Sequence, residues 1–300
     1  MSVVPRCVLV ERPTEYEELV ARHGTREQVR FFLERRDRSL EEIERRHHSV
    51  TEARSRVLGA IPLDWRRALA RRGELDRFLF EPEDVVVVLG QDGLVANVAK
   101  YLDGQPVIGL NPDPERAPGV LVPHPPDAAA DLLRDVAAGR APIAARTMVR
   151  AALDDGQELL ALNEVFVGHA THQSARYTLR VGDRAERQSS SGVIVSTGTG
   201  VTGWAASIAR DRGIDAAALP APADERLAFF VREAWPSPAT GTSLTAGLVG
   251  AGDELVITCE LGDGGVAFGD GIEADRLELD WAQRVRVGVA ARRLQLVGGR

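Results

Sequence analysis

Three short stretches of this 300-residue chain combine residue types and spacings that could do chemistry. In "VVVVLGQDGLVANVAKYL", residues 85 to 102, an apolar run ends in Gly90-Gln91-Asp92-Gly93 and a helical pattern starts at once. Glycines at such a junction let backbone N–H groups approach a ligand, and the positive end of the following helix favours an anion at the same spot. A carboxylate there is repelled by phosphate, so Asp92 makes chemical sense if it orients or deprotonates an attacking hydroxyl, or helps hold Mg²⁺. On these four residues alone, an Asp-Gly turn that caps the helix is the simpler explanation.

The second stretch is "ELLALNEVFVG". Counted by two along a strand, Glu164 shares a face with Leu160, Leu162 and Phe166. A carboxylate in an apolar register costs several kcal/mol unless something hydrogen-bonds it. Ribose hydroxyls would serve, and so would an interior arginine such as Arg176 or Arg180. Asn163 faces the other way in a regular strand, so a ligand shared by Asn163 and Glu164 requires a bulge or a strand end. The third stretch, "SSSGVIVSTGTGVTGWAASIA" at residues 189 to 209, runs from a strand into four hydroxyls and three glycines between Ser196 and Gly203. Such a loop can press its backbone against a planar ligand and donate hydrogen bonds to it; a turn with Ser/Thr caps, and Trp204 as a core residue, is the plainer alternative.

The elements that must position these residues can be read from periodicity. Val85 to Leu89, the helix carrying Leu94, Val95, Val98, Ala99 and Leu102, and "PVIGL" at 106 to 110 form a βαβ unit, which implies a parallel sheet with ligands at the carboxyl ends of its strands. Residues 25 to 58 read as one solvated helix, with Glu41/Arg45 and Glu42/Arg46 at favourable i,i+4 spacing. His47 and His48 point about 100° apart on that helix and cannot easily share a metal ion. The basic "DWRRALARR", residues 64 to 72, reads as a solvated helix face. After "PHPPD" and one amphipathic helix the pattern turns to short strands separated by Asp-Gly and Gly-Asp, as in an antiparallel meander or sandwich, which places a domain boundary near residue 126.

Composition narrows the function classes. A 44% hydrophobic content supplies a substantial core, and a net charge of -7 argues against nucleic acid as a partner. Cys7 and Cys259 lie far apart without metal-ligand spacing and read as reduced and buried. With no apolar run of roughly 20 residues and a strand-like start at "MSVVPRCVLV", the expectation is a soluble cytoplasmic protein that lacks a presequence and does not engage membrane.

The order of a G-x-D-G loop after a strand, an Asn-Glu pair in a later strand and an S-T-x-T-G-x-T loop resembles the NAD kinases, which phosphorylate the 2'-hydroxyl of the adenosine ribose of NAD. "VIGLNPDPER", "LNEVFVG", "SSGVIVSTGTG" and "LAFFVREAWPSP" are most similar to the mitochondrial-type branch of that family. The resemblance implies an N-terminal Rossmann-like α/β domain (1–126), a C-terminal antiparallel β-sandwich (127–282) and a last segment (283–300) returning to the first domain. It implies Asp92 as the base or orienting carboxylate, and Gly90, Gln91 and Gly93 as the phosphate loop. Asn163 and Glu164 would bind adenosine and ribose groups, and Thr199, Gly200, Thr202 and Gly203 would line the adenine and ribose pocket. ATP with Mg²⁺ would be the donor, NAD(H) the acceptor, and a homodimer the working unit. The chain departs from the family's Gly-Gly-Asp-Gly-Thr at Gln91 and Leu94. If the second glycine needs φ > 0, glutamine there is strained and narrows the phosphate approach. A non-catalytic NAD(P)-binding homologue and a kinase of a lipid or sugar alcohol are the alternatives.

Overall fold

The computed structural model describes residues 4–298, so the outermost residues of the expected N- and C-terminal segments lie outside the described residues. Two compact units form, Met1–Ala144 with Gln295–Arg300, and Ala145–Leu294.

In the first unit the elements run β1 (Arg6–Glu11), α1 (Glu15–His23), α2 (Arg26–Glu34), α3 (Leu40–Ala60), β2 (Arg66–Arg71), β3 (Asp84–Leu89), α4 (Asp92–Ala99), β4 (Pro106–Leu110) and α5 (Ala129–Ala137). The strands pair in the order β2-β1-β3-β4, all parallel, as a βαβ pattern demands. Gln295 and Leu296 add beside Pro106 and Val107 of β4. Alternate residues of β1 and β3 (Cys7, Leu9, Val85, Val87) meet Ala53 and Val57 of α3 and Leu133 of α5 in one core. Arg6 closes the start of the sheet by a two-point ion pair to buried Asp84, at 2.7 Å from each oxygen.

The second unit is all-β but for one helix. Its elements are β5 (Ile143–Leu153), β6 (Glu158–Ala161), β7 (Glu164–His169), β8 (Ala175–Val181), β9 (Arg184–Ser190), β10 (Val193–Ser196), α6 (Trp204–Asp211), β11 (Arg226–Val231), β12 (Ala246–Gly250), β13 (Glu254–Cys259), β14 (Gly265–Gly269), β15 (Leu277–Leu279) and β16 (Arg284–Val297). One antiparallel sheet has the order β12-β11-β10-β7-β14-β15. Against it, β8 pairs with β9 and β13, and β13 with the Arg284–Gly288 part of β16. The two layers share a core that includes Val165, Val167, Phe229, Leu179 and Ile257, so this unit is a β-sandwich.

Several sequence expectations change. The single helix over 25–58 is two, because Arg35–Ser39 breaks it: Asp37 adopts φ 51° and Ser39 caps α3. "DWRRALARR" contributes the edge strand β2, in register with β1 from Arg6↔Arg66 to Glu11↔Arg71, and its exposed arginines protect that edge. The first unit extends to Ala144 rather than 126 because α5 buries Ala129 and Leu133 in its core. The returning segment begins at Gln295 rather than 283, since Arg284–Gly288 pair with β13 in the second unit. Both cysteines are free and buried. Among the described residues no helix is long and apolar enough to cross a membrane.

Candidate active site

Asp92 is the first residue of α4, at the carboxyl end of β3. Its carboxylate does not cap its own helix. Instead it gathers a neighbouring loop: Oδ2 accepts from the N–H of Val120 (2.9 Å), and Oδ1 from those of Leu121 (2.8 Å) and Val122 (3.1 Å). A carboxylate has about four acceptor positions, so one, on Oδ2, is left. The same loop is seated by Gly109, where a Cβ would lie 2.0 Å from the carbonyl oxygen of Leu121. Asn111 pins its start, donating to the carbonyl of Ala117 (2.8 Å) and accepting from the N–H of Asp113 (3.0 Å). The glycine and asparagine of "VIGLNPDPER" are therefore the fittings that hold the 111–122 loop against Asp92.

Gln91 sits at φ -112°, ψ 164°, ordinary extended backbone, so the expected strain of a side chain at the second position of the loop is absent. Its side chain leaves the helix end and accepts a hydrogen bond from Arg12 Nη2 at 3.1 Å. Gly90 and Gln91 line a cavity of about 760 Å³ within the first unit, whose wall also carries Arg12, His47, Asn111 and Asp113. Gly93 is exposed, and a Cβ added there would meet nothing within 4 Å. Leu94, in place of the family's threonine, is buried and serves the core. His47 and His48 are engaged separately, His47 Nδ1 with the Thr14 hydroxyl (2.8 Å) and His48 Nδ1 with the Glu44 carbonyl (2.7 Å).

In the second unit, the stretch read as one strand breaks at Leu162-Asn163, between β6 and β7. Asp270 makes the break: its carboxylate accepts the N–H groups of Leu162 (2.9 Å) and Asn163 (2.7 Å). The Asn163 carbonyl in turn accepts from Thr197 N–H (2.9 Å), and the Thr197 hydroxyl donates to Leu162 O (2.6 Å) while accepting from the N–H groups of Thr199 and Gly200. Thus the Thr-rich loop is clasped to the Asn-Glu corner. Gly200 is required by this clasp, since a Cβ would fall 2.1 Å from the Asn163 oxygen.

This corner leaves polar groups unspent. The Asn163 amide and the Glu164 carboxylate hydrogen-bond to no other described side chain, and Arg176 and Arg180 do not pair with Glu164. Burial, with the nearby charge of Asp270, pushes the Glu164 carboxyl up to about 7. Thr199 is buried, and its hydroxyl has no partner. Thr202 bonds back to the Thr199 carbonyl (3.0 Å), and Gly203 is exposed at the start of α6. Trp204 is 38% exposed rather than core, stacked on Phe166 (centroids 6.1 Å, planes 12° apart) with the Arg232 guanidinium over its ring at 5.0 Å.

Arg12, Asp270 and Thr197 were not singled out by residue type. Signals existed for two: Arg12 follows the first strand of a parallel sheet, where ligands bind, and Asp270 stands in an Asp-Gly turn like those used to find the strands. Among the described residues no group of three or more His, Cys, Asp or Glu could hold a metal ion as a protein cage.

No protein-family model matches the chain. The NAD kinase of Methylococcus capsulatus is 36% identical over 151 residues, 46% of this chain and 49% of that protein. The mitochondrial NAD kinase 2 of Homo sapiens is 27% identical over 256 residues, 68% of this chain and 58% of that protein. The matched stretches thus span about half of these relatives' own lengths. In fold, the chain is similar to yeast NADH kinase solved with NADH, with a TM-score of 0.62 and 14% identity over 100% of this chain and 85% of that one. The motif order and these relatives agree: in sequence the chain is similar to NAD kinases, and in fold to an NADH kinase.

Proposed function

We propose that this protein is an NAD kinase, transferring the terminal phosphoryl group of ATP to the 2'-hydroxyl of the adenosine ribose of NAD⁺ or NADH. The observation that carries the reading is Asp92. It stands at the carboxyl end of a parallel strand, is immobilised by three backbone N–H groups, and retains one acceptor position on Oδ2. A carboxylate held this way can accept the ribose hydroxyl's hydrogen bond and aim its oxygen at phosphorus. The 2'-oxygen–phosphorus bond then forms as the bond between that phosphorus and the β–γ bridging oxygen breaks; the hydroxyl proton passes to the Asp92 carboxylate and ADP departs. Mg²⁺, when bound with ATP, would neutralise the charge building on the phosphates. Asn163, Glu164 and the buried Thr199 hydroxyl would hold the dinucleotide, with Thr202 and Gly203 at the rim of that site and Trp204 as a stacking face. Gly90, Gln91 and Gly93 would frame the donor. Neither Gln91 nor Leu94 obstructs the cavity, which weighs against a lapsed, binding-only homologue.

Two finer statements belong to the same reading. A reducing, cytoplasmic setting suits two free buried thiols, of which Cys7 is pushed up to about 12 by burial. A homodimer is supported by exposed Leu248 on the edge strand β12, and analytical ultracentrifugation would check it.

The test is formation of NADP⁺ or NADPH by the purified chain with both acceptors, with ATP or polyphosphate as donor, and with other alcohols in parallel. Transfer to NAD⁺ or NADH is expected. Transfer only to a lipid or sugar alcohol would overturn the acceptor, and saturable NAD binding without transfer from any donor would overturn the activity.

A further inference from the structure

The cavity beside Gln91 holds charges the family loop does not explain. Arg12 from the end of β1, Arg45 from α3 and Arg116 from the 111–122 loop all line it. None has a carboxylate within ion-pair distance among the described residues, and the expected Glu41/Arg45 pair does not form. Arg46 in the same wall behaves otherwise, being paired with Glu15 (3.2 Å) and Glu42 (3.9 Å). Three unpaired guanidinium groups outnumber the two unpaired carboxylates of the lining, Glu18 and Asp113. Exposed, unpaired arginines lining one concave surface suit a polyanion, because each guanidinium offers a planar fork of donors matched to phosphate oxygens.

One of the three is held in place. Arg12 spends a single N–H on the Gln91 side chain, leaving the other four of its five donors free. Gln91 stands at the helix N-cap yet makes no side-chain cap, so its amide serves Arg12 alone. We infer that Arg12, positioned by Gln91, grips the triphosphate of the phosphoryl donor, so that the glutamine in the family's second-glycine position is a functional replacement. Arg45 of α3 and Arg116 of the 111–122 loop, in the lining of the same cavity, would add to that grip. This rests on the kinase reading for the identity of the donor, but not for the presence of a polyphosphate site.

The experiment is calorimetric titration of the intact chain with inorganic tripolyphosphate, with no acceptor present, alongside NADP⁺-formation kinetics. Arg12→Ala should weaken tripolyphosphate roughly tenfold or more, the loss of charge-assisted hydrogen bonds, and Arg12→Lys should restore part of it. Gln91→Ala should weaken it several-fold, and the double variant should be no weaker than Arg12→Ala, since Gln91 acts only through Arg12. In turnover, the donor KM should rise while the acceptor KM stays at its wild-type value, and the melting temperatures should match. If Arg12→Ala binds tripolyphosphate as the wild type does, the assignment falls. If the wild type makes no NADP⁺ yet binds tripolyphosphate through Arg12, the kinase reading falls and the site stands. If it makes NADP⁺ and Arg12→Ala keeps the wild-type donor KM, only the Arg12 assignment falls.

Discussion

A carboxylate already loaded with three N–H groups does two jobs, and Asp92 shows how substitutions separate them. Asparagine there keeps the shape but offers N–H donors to backbone N–H groups, so Asp92→Asn should lose about 1–3 kcal/mol of stability as well as turnover, and urea melts beside activity assays would check both. Unchanged stability would mean the loop is held by something else. Glu164 carries a pH signature. Its carboxyl moves from an ordinary 4.5 to about 7 on folding, so the folded chain binds more protons than the unfolded one between those values. The contribution is full below about 4.5, declines as pH rises through about 7, and is level above. Urea melts from pH 5 to 8 should show the stability of the wild type falling relative to Glu164→Gln across that window; parallel curves would contradict it. Asp92 was legible only through the company it keeps with "LNEVFVG" and "STGTG". That its chief partners are the N–H groups of residues 120–122 was not, because nothing in the sequence spacing announces a hydrogen bond across 28 residues or more.

At the level of elements, glycines divide into those that seat backbone and those that leave space. Gly109→Ala and Gly200→Ala place a Cβ about 2 Å from carbonyl oxygens, and each should cost about 1–3 kcal/mol by overpacking. Gly93→Ala meets open space in α4 and should leave melting temperature unchanged or raised. Any loss of turnover in that variant would then report on a ligand at the loop. The βαβ unit was readable because Val85–Leu89 and the α4 stripe have unmixed periodicities. Residues 64 to 72 misled because alternating arginines and small apolar residues satisfy a helix face as well as an exposed edge strand, and only pairing with β1 decides. The corner at Leu162-Asn163 was foreseeable as a need, since Asn163 and Glu164 cannot share a ligand from one straight strand. What supplies it, Asp270, lies more than a hundred residues away.

For the molecule as a whole, the candidate residues are divided between two compact units. The parallel sheet presents Asp92 and a cavity with three unpaired arginines, and the sandwich presents an Asn-Glu corner with unspent hydrogen-bonding groups. The most direct measurement follows the phosphorus: incubate the purified chain with NAD⁺, Mg²⁺ and ATP labelled in its terminal phosphate, and locate the label in the dinucleotide. Label on the 2'-oxygen of the adenosine ribose, lost in Asp92→Asn that remains folded, is the predicted result. A chain that binds NAD⁺ and ATP yet leaves the dinucleotide unlabelled would contradict it.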